Sequence, residues 1–186
     1  MMFNGPMVKA ILRREKSVTR RPVRGPVRVT AGIGIADRQQ IRDDDRLWVK
    51  ETWSAPARFD KIKPSAIDPE TTSIRYSADG AVLGRRTDFG DTEGRLVLGR
   101  QRPSIFMPRW ASRLTLDVTS VSLERLHAID SDDAILEGFG ELSQRTDVTP
   151  LEAFRSTWDL LNAGRGIPWI RNPWVWRIAF EVSDDH

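Results

Sequence analysis

The sequence predicts an α+β fold, a small bent β-sheet closing toward a barrel and flanked by helices. Three stretches carry that expectation. Trp174, Trp176, Ile178, Phe180 and Val182 alternate with Val175, Arg177, Ala179 and Glu181, the period of a strand with one strongly apolar face. Leu114, Leu116 and Val118 alternate in one phase, Val121 and Leu123 in the opposite one. A bulge or bend near Thr119-Ser120 would realign them, as strands do at barrel corners. Between these strands, Thr149-Pro150-Leu151-Glu152 reads as a capping box with proline at the first helical position. Its helix places Leu151, Phe154, Trp158 and Leu161 at helical spacing and ends near Asn162-Ala163-Gly164.

The remaining elements follow in chain order. Met7 to Glu15 reads as an amphipathic helix with Met7, Ala10 and Ile11 on one side. Lys16-Ser17-Val18-Thr19-Arg20-Arg21-Pro22 is then extended, because Pro22 disfavours the helical region for Arg21. In a strand Ser17, Thr19 and Arg21 share one face, and Lys16, Val18 and Arg20 the other. Residues 22–45 are punctuated by Pro22, Gly25, Pro26, Gly32 and Gly34, leaving room for at most a short strand at Val27–Thr30. Asp43-Asp44-Asp45 turns the chain into a strand at Leu47-Trp48-Val49. Residues 54–102 read as a mobile surface insertion, with a hairpin from Ile74-Arg75-Tyr76 through an Asp79-Gly80 turn. Asp130 or Ser131 caps a short helix through Glu137, which Gly138 stops.

A chain of 186 residues suits one domain. Hydrophobic residues at 39% and charged residues at 30% are an ordinary soluble balance. No apolar run approaches the roughly 18 residues of a membrane helix, and no export signal is visible. With no cysteine, disulfides and thiolate zinc sites are excluded and the cytoplasm is the expected compartment. His127 and His186 are too far apart in sequence to suggest a metal centre. Gly32-Ile33-Gly34 lacks the strand-to-helix context of a dinucleotide site, so neither metal nor cofactor is expected.

Net charge is +3, unevenly placed. Residues 1–30 hold eight basic residues (Lys9, Arg13, Arg14, Lys16, Arg20, Arg21, Arg24 and Arg28) against Glu15 alone. The other 156 residues carry 21 basic and 25 acidic side chains. A basic block on a near-neutral body suits a phosphate-binding surface. The alternative is a solvated basic face with no partner.

Lys16-Ser17-Val18-Thr19-Arg20-Arg21-Pro22 resembles the G-x-K-T-x-T-x-R type signature that opens ASCH domains of the PUA-like superfamily, especially the K-T-x-T-R-R-P version of a phage and prophage branch. Three further blocks are similar and come in the same order: Asp45 to Trp53, Pro103 to Arg113, and Asn172 to Trp176. The resemblance spans nearly the whole chain and implies a β pseudo-barrel flanked by helices. One departure concerns the turn before Leu47, where the family usually has Gly-Asp and this chain has Asp44-Asp45. Aspartate tolerates positive φ next best after glycine.

Some ASCH proteins are amidohydrolases that deacetylate N4-acetylcytidine with a lysine, a threonine and a glutamate. By motif position these fall on Lys16, Thr19 and Glu137. A threonine hydroxyl needs a base to take its proton, a lysine serves if its pKa is depressed, and a glutamate can carry the proton to the leaving amine. Lys16 and Thr19 lie on opposite strand faces, so sharing a pocket requires a turn or bulge between them. None of the three is expected to fill the core. Arg20 and Arg21 are candidate substrate-binding residues beside them. Trp48, Arg109 and Trp110 are candidates because aromatic faces beside guanidinium groups suit a stacked nucleobase and its phosphate. Core packing is the alternative for both tryptophans; Trp158, Trp174 and Trp176 read as core. The expected partner is RNA or a modified nucleoside. The rival readings are a non-catalytic RNA-binding module and a ribonuclease, the latter lacking a well-placed histidine.

Overall fold

The computed structural model describes residues 1–30, 33–36, 40–90, 97–141 and 147–184. Gly32, residues 91–96 of the expected insertion, and His186 lie outside the described residues. The fold is α+β, and the chain divides into two compact units. The first comprises Met1–Lys9, Leu47–Leu116 and Ser183–His186, the second Ala10–Arg46 and Asp117–Val182.

Helix α1, Gly5–Leu12, stops short of Glu15. Arg14 takes φ 59°, and the amides of Glu15 and Lys16 both donate to the Ala10 carbonyl, at 2.9 and 3.2 Å. Such a left-handed residue ends the helix and redirects the chain. Strand β1, Val18–Pro22, then pairs antiparallel with the closing strand β9, Trp174–Val182. The register sets Thr19 against Ile178, Arg20 against Arg177 and Arg21 against Trp176. The sheet order is β1-β9-β8-β4, where β4 is Arg46–Trp48 and β8 is Thr115–Arg125. Strand β8 runs unbroken, and its inward phase changes across the exposed pair Thr119 and Ser120.

Residues 22–45 contain more structure than the breakers suggest. β2, Val27–Thr30, and β3, Ile33–Ala36, form an antiparallel hairpin. Gly34 is needed there for closeness, since a Cβ would stand 2.7 Å from the Trp174 ring. At the following turn Asp44 adopts φ 66°, and its amide donates to the Val118 carbonyl at 3.0 Å.

In the first unit, β5 (Trp53–Ser54), β6 (Ile74–Tyr76) and β7 (Val82–Leu83) make a three-stranded sheet. The expected hairpin is present, with Gly80 at φ 78° in its turn. Trp53, Ala55, Ile67, Ile74, Tyr76, Met107 and Ala111 form the core, with Phe59 and Trp110 packed against it. Residues 67, 74 and 76 of the expected insertion thus contribute to that core.

In the second unit, α2 (Ser131–Ala134) is capped by Asp130, whose carboxylate accepts from the Asp133 amide at 2.8 Å. Ile135 to Glu137 stay helical, and Gly138 breaks the helix at φ 92°, as expected of a stop, before a further helical stretch begins at Phe139. Helix α3, Pro150–Asn162, has the complete capping box of Thr149 and Glu152. Phe154 and Trp158 are buried, but Leu161 is 53% exposed and the inward position is taken by Asn162. Its side-chain amide donates to the Trp158 carbonyl at 3.1 Å, which satisfies the polar group at the core edge. Phe154 stands at the centre of an aromatic cluster, 5.8 Å from Phe139 and 6.2 Å from both Trp158 and Trp169. Among the described residues no helix is long and apolar enough to cross a membrane.

Candidate functional site

The second unit brings Lys16 and Glu137 together. Lys16 is buried at the entry to β1, and its ammonium donates to the Val18 carbonyl (2.7 Å), the Glu137 carbonyl (2.8 Å) and Glu137 Oε2 (2.7 Å). Glu137 is the last residue before the kink at Gly138, whose backbone lies close to Ala10 and Lys16. The Lys16 and Glu137 side chains are both buried, contrary to the expectation that neither helps to fill the core.

Arg20 extends the cluster. Its Nη1 lies 3.5 Å from Glu137 Oε1, its Nε donates to Glu124 Oε1 at 2.7 Å, and its Nη2 meets Asp133. The side chain is fully buried. Arg177, opposite Arg20 in the strand register, donates to Asp133 Oδ1 at 2.9 Å. Two like charges facing each other across strands repel, and the shared Asp133 carboxylate offsets that repulsion. Arg21 is half-buried and feels the Glu137 carboxylate. Thr19 is buried, and its register with Ile178 puts it on the face opposite Arg20.

Burial pushes the Lys16 ammonium below its ordinary pKa; Glu137 opposes the fall, while Arg21 and Arg20 add to it. Burial pushes the Asp133 carboxyl up, but hydrogen bonds from Arg177 and Arg20 outweigh it and hold the group below its ordinary value. Lys16 and Glu137 therefore share one short hydrogen bond in a medium that disfavours separated charge. That arrangement can pass a proton between amine and carboxylate.

The first unit holds Trp48, Arg109 and Trp110. The half-buried Trp48 ring lies 4.5 Å from Lys50 Nζ and 5.8 Å from Arg109 Cζ. Arg109 is exposed, and Ile105 and Phe106 nearby in sequence are 56% and 59% exposed. Trp110 instead meets the buried Trp53 edge-to-face, with centroids 6.5 Å apart.

The sequence reading did not anticipate Glu124, Asp133 and Arg177 around Arg20. Their alignment depends on the β1–β9 register, for which Arg177, in the middle of a mostly apolar strand, was the available signal. It also missed a second ionic cluster. Arg113 makes a two-pronged contact with the buried Glu51 (2.8 and 2.9 Å) and another with Asp79 (2.8 and 3.1 Å), lying 4.0 Å over Tyr76. Burial pushes the Glu51 carboxyl up, Arg113 opposes it, and the net shift is upward. Comparisons with family models, curated proteins and solved structures find no match.

Proposed function

We propose that this chain is an ASCH-type, PUA-like domain that binds a nucleobase or RNA. The observation carrying the proposal is the Trp48 ring flanked by Lys50 and Arg109. Both cations lie over the ring, so a base stacks there by displacing one of them toward its own phosphate. The α+β fold and the antiparallel pairing of β1 with β9 are compatible with a pseudo-barrel. The test is titration of short single-stranded RNA at low salt. Loss of one stacked base is worth about 1–3 kcal/mol, so Trp48→Ala is expected to weaken binding by about 5- to 150-fold. Undiminished affinity in a folded Trp48→Ala variant would refute the assignment.

A second reading is hydrolysis of an amide on an N4-acylated cytidine or related base. The buried Lys16–Glu137 pair favours it, because burial lowers the lysine pKa toward that of a working base. This reading needs Thr19, which β1 turns to the face opposite Arg20, to reach the Lys16 amine. Lys16 then takes the hydroxyl proton as the oxygen attacks the acyl carbon, Glu137 protonates the departing amine, and water releases the acyl group from Thr19 as a carboxylic acid. Turnover of N4-acetylcytidine that is lost in Thr19→Val and Glu137→Gln supports this chemistry. Absent turnover by the intact chain leaves the binding reading standing alone.

A further inference from the structure

The first unit contains a cavity of about 270 Å³ lined by Arg75, Asp79, Gly80, Val82, Arg86 and Phe89. It lies on the β6–β7 hairpin and the 3₁₀ turn Arg86–Phe89. Arg75 is on β6, half-buried, and its guanidinium lies across the hairpin turn at Gly80. A Cβ at Gly80 would stand 2.9 Å from Arg75 Nη2, and the φ of 78° disfavours any other residue. The turn thus provides a flat seat for the guanidinium. Arg86 is exposed on the 3₁₀ turn.

Neither the Arg75 nor the Arg86 guanidinium has an ion pair among the described residues. This differs from Arg20, Arg113 and Arg177, each of which is tied to carboxylates. The acid at the cavity, Asp79, is already engaged: both oxygens accept from Arg113, and Oδ1 also accepts from the Ala81 amide at 3.0 Å. The cavity therefore presents two uncommitted cations and a carboxylate neutralised from behind. Val82 and the buried Phe89 give it an apolar wall.

We propose that this cavity binds a phosphate monoester, with Arg75 and Arg86 holding the phosphate and Val82 and Phe89 accepting the organic part. Guanidinium forks match phosphate oxygens in pairs, and the dianion takes up both positive charges. The volume lies just below the range of about 300–1,000 Å³ typical of small-molecule sites, so it would hold the phosphate and only part of the organic group. A free nucleotide and a terminally phosphorylated RNA present the same group. The proposal uses none of the residues assigned to base stacking, and it stands or falls separately.

The experiment is calorimetric titration of the intact chain at low salt with cytidine monophosphate, cytidine, and a short RNA with and without a 5′-phosphate. Saturable binding of the monophosphate with none of cytidine identifies a free nucleotide as ligand. Binding that requires the RNA's 5′-phosphate identifies a chain end. Each substitution removes a charge-assisted hydrogen bond to the phosphate, so Arg75→Met and Arg86→Met are each expected to cost roughly tenfold or more in affinity. Melting temperature should stay within a few degrees, because neither side chain is tied to a carboxylate. If no phosphate-bearing ligand saturates the chain, or if both folded variants bind as tightly as the parent, the proposal is overturned. Loss of RNA stacking in Trp48→Ala with phosphate binding retained separates this site from the proposed base-binding surface.

Discussion

Lys16 donates to three buried oxygens, one of them on the Glu137 carboxylate, which Arg20 Nη1 also approaches at 3.5 Å. Replacing it with methionine leaves Glu137 charged in the interior. Breaking a buried pair in this way costs about 3–5 kcal/mol, so Lys16→Met should melt well below the parent. The double variant Lys16→Met with Glu137→Leu removes both charges and should regain much of that loss; a double variant no more stable than the single would refute the pairwise account. Asp133 gives a pH signature. Its folded pKa lies below the ordinary 3.8, so its stabilising contribution is present above that value and is lost as pH falls through the lowered one. Thermal melts between about pH 2 and 6 should show an acid-side fall that is shallower in Asp133→Asn. The sequence made Lys16 and Glu137 legible as a pair only through a resemblance. Charge and spacing alone left Lys16 in a basic loop and Glu137 beside a glycine stop, because a separation of 121 positions is bridged only by tertiary packing.

Elements with local causes were readable, and those with distant causes were not. The Thr149 capping box is built from four consecutive residues and forms as the sequence indicates. Thr149→Ala is expected to cost about 1 kcal/mol by leaving the Glu152 amide without its cap. The β2–β3 hairpin escaped notice because Gly34 looks like a breaker, while its reason is the Trp174 ring 2.7 Å from where a Cβ would sit. Gly138 reads as a helix stop and is one, its φ of 92° kinking the chain just after Glu137; what the sequence does not show is that it lies beside Ala10 and Lys16. Gly138→Ala meets φ 92° and contacts of 3.0 Å to Ala10 and 3.3 Å to Lys16. A non-glycine residue in left-handed backbone costs about 1–2 kcal/mol before those contacts are counted. Gly164→Ala is the control, since nothing stands within 4 Å of its Cβ position and its φ is not in the left-handed region. Differential scanning calorimetry should show a clear drop for Gly138→Ala and little change for Gly164→Ala. Equal effects would mean that the kink does not depend on glycine.

At the scale of the whole chain, the sequence located the positive charge but not its use. Of the eight basic residues among the first thirty, Lys16 and Arg20 are buried in ion pairs and Arg21 is half-buried. Lys9, Arg13, Arg14, Arg24 and Arg28 face solvent, although Arg13 is shared between Glu15 and Glu141. Substituting Arg20 therefore tests folding before it tests binding, since its guanidinium holds Glu124, Asp133 and Glu137. The solvent-facing cations are the ones that can displace counterions from RNA. If Arg109 and Lys50 meet phosphates beside a base stacked on Trp48, the affinity should fall linearly on a logarithmic scale of salt concentration. Removing one phosphate contact should reduce the magnitude of that slope by about 1, whatever the RNA sequence. Arg109→Ala and Lys50→Ala should each do so, while Trp48→Ala should lower affinity at every salt concentration and leave the slope nearly unchanged. The separation is physical: stacking releases no counterions, whereas phosphate neutralisation does. Parallel slopes for the parent and both cation variants would assign the charge near Trp48 to the fold rather than to RNA.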